Sequence, residues 1–335
     1  MPEPLTPGAM VVSLDFELHW GMRDHTPPTG PVAAELVRSR AIVAELADVF
    51  VERSIHVTWA TVGFLFASRR DDLDSALPPI RPAYVRAELD PYRETIGVDE
   101  DDDPVHLAGS LVRRLAASPG QEVASHTFSH FYSLEGGQDE AAWRSDLNAA
   151  RAIAAADGIE VTSLVLPRNQ WNPRYATATL ECGFTCIRGP QPSLGNRPGG
   201  PQATLALRRA ARLADTYVGI RPPPTTSWAD VVDVSGLCNV PASAFLRPYS
   251  PTRRALEPLR RARLVAGLRD AARRGRIFHL WWHPHNFARH PGPNMDLLAR
   301  LLDEFARLSE SDGLRSLSMR DVTDVVMAPE HGHDG

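Results

Sequence analysis

Asp15 and Glu17 stand two residues apart, His126 and His130 four apart, and His283 and His285 two apart. Carboxylates and imidazoles bind divalent cations and move protons near neutral pH, so these three pairs together suit a one-metal hydrolase. At an extended chain end, residues two apart project to one side, so Asp15 and Glu17 face a common space while Phe16 turns into the packing. One of the two acids can ligate while the other works. His126 and His130 would leave one side of a helical turn together, a good spacing for a divalent metal. Two imidazoles and one carboxylate leave positions open for water and substrate, the arrangement of a catalytic rather than a structural zinc site.

Each cluster follows an apolar or β-branched run that reads as a strand, and groups at distant strand ends converge when the strands form a barrel. The chain alternates strands with amphipathic helices. Strand 10–16 is followed by helix 31–53, where Leu36, Val37, Ile42, Val43, Leu46, Val49 and Phe50 recur at helical spacing. Strand 55–62 leads to a short helix 64–69 and a less regular stretch to about residue 103. Helix 106–117 precedes strand 121–125, helix 139–156 precedes strand 161–166, and helix 173–182 precedes a strand at 185–187. After a Pro- and Gly-rich segment from 189 to 201, helix 252–274, strand 276–282, helix 294–310 and a short strand near Leu314 complete the pattern. Repeated βα units favour a parallel sheet. The segments at about 70–104 and 189–250 read as insertions in a single domain over 1–327, with 328–335 a disordered tail.

Composition removes whole classes of chemistry. The chain has 335 residues with 43% hydrophobic content, enough for a large core. All 36 basic residues are arginine, so neither a P-loop nor a pyridoxal Schiff base, each of which needs a lysine, can be built. No Gly-x-Gly-x-x-Gly follows a strand, which leaves a dinucleotide fold without its fingerprint. A net charge of −5 and a pI near 6.2 give no global pull toward nucleic acid. No basic segment or apolar run precedes the first strand, and no stretch is long and apolar enough to span a membrane, so a cytoplasmic location is expected. Cys182, Cys186 and Cys238 lack zinc-finger spacing and are expected to be reduced and mostly buried.

The order of segments resembles the polysaccharide deacetylases, carbohydrate esterases of family 4 that share the NodB homology domain. Ser13-Leu14-Asp15-Phe16-Glu17 is similar to the family's first motif, with Asp-x-Glu in place of two adjacent aspartates. Ser125 to His130 matches its His-Ser/Thr-x-x-His motif, Leu166-Pro167-Arg168-Asn169-Gln170 resembles its third, and His283 the histidine of its last. The resemblance implies an α/β fold, a distorted (β/α)7-type barrel of the NodB kind with inserted loops. It implies Asp15 as general base, Glu17, His126 and His130 as ligands of one divalent ion (Zn, or Co or Ni), Arg168 as the partner that orients Asp15, and His283 as general acid. Relatives that open cyclic amides without a metal lack the metal-binding histidines, and both are present here. The expected reaction is removal of an N-acetyl group from an amino sugar in an oligosaccharide, nucleotide-linked or secondary-metabolite intermediate. A metal-independent cyclic amidase and a silent glycan-binding barrel are the alternatives.

Further candidates surround this set. The loop at Asn169 could donate to an oxyanion, and His285 is second to His283 as acid. Trp281 and Trp282 alternate on a strand, so only one can meet a sugar, and Trp282 is the candidate; Trp20 and His19 could line the mouth. The acidic run 99–103 reads as a solvated loop and the arginines between 253 and 276 as a solvated helix face. Substrate identity is expected to reside in the segment from 189 to 247.

Overall fold

The computed structural model describes residues 7–189, 224–233 and 235–328. Strand β1 (Ala9–Phe16) carries six apolar residues among its eight and is buried along its whole length. A strand covered on both faces needs such a sequence, and β1 is the centre of a parallel sheet. The other strands are β2 (Val57–Thr61), β3 (Gln121–Ser125), β4 (Ser163–Val165), β5 (Cys186–Arg188), β6 (Cys238–Asn239), β7 (Ala244–Phe245), β8 (Ile277–Trp282) and β9 (Arg315–Leu317). They run in the order β6-β5-β4-β3-β2-β1-β8-β7, with β9 beside the first half of β1. Every ladder among the described strands is parallel.

The two-residue side-chain period of β1 divides the core. Met10, Val12, Leu14 and Phe16 face outward and join Ile42, Val43, Leu46 and Phe50 of α1 (Gly30–Glu52). Ala9 and Val11 face inward and meet Ala60, Val165, Cys186, Val240, Ile277 and Leu317 in a separate cluster. Alternation on one strand therefore fills a barrel interior and a helical layer at once. The layer continues with α2 (Arg70–Ser75), α3 (Gly109–Ala117), α4 (Glu140–Ala156), α5 (Ala176–Glu181), α6 (Glu257–Arg274) and α7 (Pro291–Asp312), whereas α8 (Met319–Met327) adds Met319 and Val322 to the inward cluster.

The sheet curls until its ends nearly meet. Edge strands β6 and β7 are joined by residues 240–243, and β8 ties into that connection. His279 Nδ1 donates to the Val240 carbonyl at 2.9 Å, and the Ser243 N–H donates to the His279 carbonyl at 2.8 Å. The expected distorted barrel is therefore present. None of the helices among the described residues is long and apolar enough to cross a membrane. The three cysteines are buried and unbridged.

The structure differs from the sequence expectation in several places. Residues 189–250 are not wholly an insertion, because β6 and β7 complete the sheet; two-residue strands carry no readable period. The Pro- and Gly-rich part from 190 to 223, and with it most of the segment expected to choose the substrate, lies outside the described residues, as do 329–335 of the tail. The acidic run is not a purely solvated loop. Glu100 accepts from Arg40 at 2.7 Å, Ser68 Oγ at 2.6 Å and Ser110 N–H at 2.7 Å, pinning the 70–104 segment to α1 and α3. Helix α8 was not foreseen; it starts at a capping box in which Ser318 and Asp321 exchange side-chain and backbone bonds.

Candidate active site

Every group of the site leaves the C-terminal end of a strand or the turn that follows it, the end where parallel barrels place their chemistry. Asp15 closes the inward row of β1, and Glu17 follows it on the same side, both nearly fully buried. His126 follows β3 and His130 lies four residues further on. Glu17 Oε1 is 2.9 Å from His126 Nε2 and 3.2 Å from His130 Nε2, and all three residues are at most 5% exposed.

The histidines are not brought together by a helical turn, contrary to the sequence expectation. Residues 126–133 form an irregular loop in which Thr127 (φ 63°) and His130 (φ 55°) are left-handed. Positive φ is costly for a β-branched residue and persists only where surrounding bonds enforce it. Asp146 of α4 supplies them, accepting from Phe128 N–H at 2.7 Å, from Ser129 N–H at 3.1 Å and from the Ser129 hydroxyl. Thr127 Oγ1 accepts from Phe131 N–H at 2.7 Å. Gly63 holds the loop from below, its N–H donating to the Thr127 carbonyl at 2.9 Å. A Cβ at Gly63 would lie 2.6 Å from Phe128 Cα, so only glycine permits this approach. Leu18, Arg168 and Asn169 are also left-handed, which concentrates backbone strain around the site.

Arg188 at the end of β5 was not anticipated from sequence. Its guanidinium grips Asp15 with two bonds, 2.6 Å to Oδ1 and 2.7 Å to Oδ2, and donates to Ser13 Oγ at 2.9 Å. Burial pushes the Asp15 carboxyl up, but the Arg188 charge and hydrogen bonds outweigh it and hold the group ionised below its usual range. The role expected of Arg168 is thus filled by Arg188. Arg168 is turned away by its left-handed backbone and pairs with Asp24 at 2.5 Å, over the Tyr132 ring at 4.3 Å. One signal for Arg188 existed in the sequence: a lone charge directly after the apolar pair Cys186-Ile187, where a strand meets the barrel mouth.

His283 completes the constellation. Its Nε2 is 3.8 Å from Asp15 Oδ2 and 3.6 Å from Glu17 Oε2, and its side chain is 24% exposed, which makes it the accessible member. Burial also pushes the Glu17 carboxyl up, yet His283 and the bonds from His126 and His130 hold it well below the carboxylate range. His285 is half-buried with its ring 5.2 Å from that of His283, and burial depresses it to about 4.

Several expected contacts are buried or already engaged. Trp282 faces the helical layer, fully buried and stacked on Phe287, so Trp281 is the ring at the site, with Arg188 over its face at 4.3 Å. Trp20 is fully buried, its Nε1–H donating to the His106 carbonyl at 3.0 Å, and packs edge-on against Phe64. The Asn169 N–H already donates to the Leu166 carbonyl at 2.9 Å, which removes it as an oxyanion donor. His19, too, is buried rather than lining the mouth.

Glu17, His126 and His130 suit a divalent cation by donor chemistry: one carboxylate oxygen and two imidazole nitrogens, all aimed at a common point. Charge supports the fit. Glu17 is a buried carboxylate that, among the described residues, accepts from imidazoles but from no guanidinium, and an ion there supplies the missing positive charge.

No protein-family model matches the chain, and no curated protein matches it by sequence. Solved structures do. An inferred polysaccharide deacetylase from Mycobacterium smegmatis superposes with a TM-score of 0.61 at 15% identity, covering 98% of this chain and 93% of the other. A second, from Pseudomonas aeruginosa PAO1, gives 0.56 at 14% identity and covers 99% of both chains. The PuuE allantoinase gives 0.55 at 13% identity over 98% of each. These likenesses, with the curled parallel sheet and the convergence of strand ends, show that the chain has the fold of the polysaccharide deacetylases.

Proposed function

We propose that the protein is a metal-dependent amidohydrolase that removes the acetyl group from an N-acetylated amino sugar, with Glu17, His126 and His130 holding the ion. The observation that carries this reading is the meeting of two separate sets. A carboxylate–imidazole group fit for a cation lies against an ionised Asp15 and an accessible His283. An ion held there would supply Lewis-acid polarisation of an amide carbonyl and of water. Asp15, fixed by the Arg188 fork, accepts a proton from the attacking water. His283 gives a proton to the amine nitrogen as the carbon–nitrogen bond breaks, yielding acetate and a free amino sugar. Trp281 offers an aromatic face to the apolar side of a sugar ring.

A cavity of about 510 Å³ beside His285 gives the rest of the substrate a place. Leu36 and Tyr249 provide apolar walls, while Arg247 and Arg253 add positive charge. That lining favours a sugar carrying a phosphate or nucleotide over a neutral polymer, in keeping with an intracellular biosynthetic intermediate.

The test is acetate release from a panel of N-acetylated sugars, sugar phosphates and nucleotide sugars, after chelation and re-addition of Zn²⁺, Co²⁺ or Ni²⁺, with Asp15→Asn as control. Release that metal restores and Asp15→Asn abolishes is the expected result. The allantoinase likeness adds a cyclic ureide to the panel: opening of that ring unaffected by chelation would replace the deacetylase reading with the metal-independent one.

A further inference from the structure

We infer that His19, His106 and Glu94 form a second divalent-cation site, separate from the Glu17 group. These three offer ligand atoms that all lie within 4.8 Å of one another, and none of them belongs to the first group. His19 and His106 are 1% and 4% exposed, and Glu94 is half-buried.

The hydrogen bonds around the two imidazoles decide which nitrogens face the centre. His106 Nδ1 lies 2.8 Å and 3.0 Å from the two carboxylate oxygens of Asp103. His19 Nε2 lies 2.9 Å from the Thr26 carbonyl oxygen. A carboxylate and a carbonyl only accept, so each of these outer nitrogens carries its ring hydrogen. When both rings are neutral the inner nitrogens, His19 Nδ1 and His106 Nε2, present lone pairs, and they face each other at 2.8 Å. Two lone pairs at that distance repel unless a proton or a metal ion lies between them. A cation does so, and the Glu94 carboxylate balances its charge.

The outer bonds have the form that metal-binding histidines show. Such a residue donates its second N–H to a carboxylate or a backbone carbonyl, which fixes the ring and raises its basicity. His106 has the first kind of partner and His19 the second. By contrast, His126 Nδ1 in the Glu17 group is buried without a partner among the described residues. Tetrahedral zinc with nitrogen ligands at 2.0–2.1 Å sets the two nitrogens about 3.3 Å apart, so the rings need to part by roughly half an ångström on loading. Imidazole and carboxylate donors suit Zn²⁺, Co²⁺ or Ni²⁺.

Such an ion acts as a positioning element. His19 sits in the turn Leu18–Gly21 that directly follows Glu17, while Glu94 and His106 belong to the segment spanning 91–106. A Cβ at Gly21 would lie 1.9 Å from Glu17 Oε2, so this turn presses against the Glu17 carboxylate. Clamping the turn to the 91–106 segment holds that carboxylate in place.

Metal content settles the matter. The full chain is stripped with chelator, loaded with Zn²⁺ and desalted, and bound zinc is counted per chain, with Co²⁺ absorption as a second readout. Wild type is expected to hold two equivalents, and His126→Asn/His130→Asn to keep one and retain a zinc-dependent rise in Tm. Glu94→Gln, which leaves the packed histidine pair intact, is expected to weaken that remaining equivalent at least about tenfold. Zinc binding abolished by His126→Asn/His130→Asn in a folded chain would overturn the proposal and leave a shared proton between the rings. Wild type holding only one equivalent, undiminished by that double substitution and weakened by Glu94→Gln, would support this site while sinking the Glu17 group.

Discussion

Arg188 and Arg168 show how much one side chain's neighbours decide. Both are arginines near strand ends, yet Arg188 is fully buried against Asp15 while Arg168 is held half-exposed by Asp24 and Tyr132. A guanidinium that grips a carboxylate with two parallel bonds fixes its orientation as well as its charge, which an ammonium cannot do. Arg188→Lys is therefore expected to lower kcat on the order of 10²-fold, as befits disturbing a proton-transfer group. Arg168→Lys should leave kcat within about fivefold, the worth of a partly exposed ion pair. Steady-state assays of the two variants separate the roles; equal losses would contradict the placement of Arg188. Arg188→Ala should also cost about 3–5 kcal/mol in urea unfolding, because it strands a buried carboxylate.

At the scale of the element, the loop after β3 matters more than the spacing of its histidines. A spacing of four from one imidazole to the next suggested a helical turn, but two left-handed residues bring the rings together instead, 5.1 Å apart at their centroids. Asp146 makes that conformation possible by taking three donors of the loop, and burial pushes its carboxyl up to about 6. Asp146→Ala leaves two backbone N–H groups and a hydroxyl unpaired in the interior. The expected loss is about 3–5 kcal/mol of stability together with weaker metal binding at the proposed Glu17 site, read by denaturant melts and metal titration. Asp146 lies on the next helix, 17 to 18 residues from the loop residues it holds, beyond the reach of any local period. The same limit hid the exchange between Trp281 and Trp282. Alternation showed that one ring faces in and one out, but only the phase of β8 against β1 says which.

For the molecule as a whole, closure of the barrel depends on a neutral histidine. His279 donates from Nδ1 to the Val240 carbonyl and accepts at Nε2 from Ser13 Oγ at 2.8 Å, joining β8 to β1 and to the connection between the sheet's edges. Burial, and then the nearby Arg188, depress it to about 3, with Asp15 acting weakly in the other direction. The unfolded chain takes up this proton near 6.5 and the folded chain does not until near 3, so His279 contributes stability above 6.5 that is lost as pH falls toward 3. Between pH 7.5 and 5.0 the loss from this one group is about 2 kcal/mol. Urea unfolding of metal-free wild type and His279→Asn at the two pH values checks it: the variant, less stable at neutral pH, should lose about that much less on acidification.

What the sequence determined by itself was whatever depends on residue type and local period. The two-residue period put Asp15 and Glu17 on one side of the chain and Phe16 on the other, repeated βα units implied a parallel sheet, and the absence of lysine removed two chemistries outright. The clustering of Asp15, Glu17, His126, His130 and His283 was legible because each follows an apolar run. Tertiary structure decided what depends on contacts between distant segments: that Arg188 and not Arg168 meets Asp15, that Trp20 packs inside, that β6 and β7 belong to the sheet, and that His19 faces His106. A buried charge takes its partner from whichever strand end the barrel places opposite it, and that choice is made by closure of the whole sheet rather than by spacing along the chain.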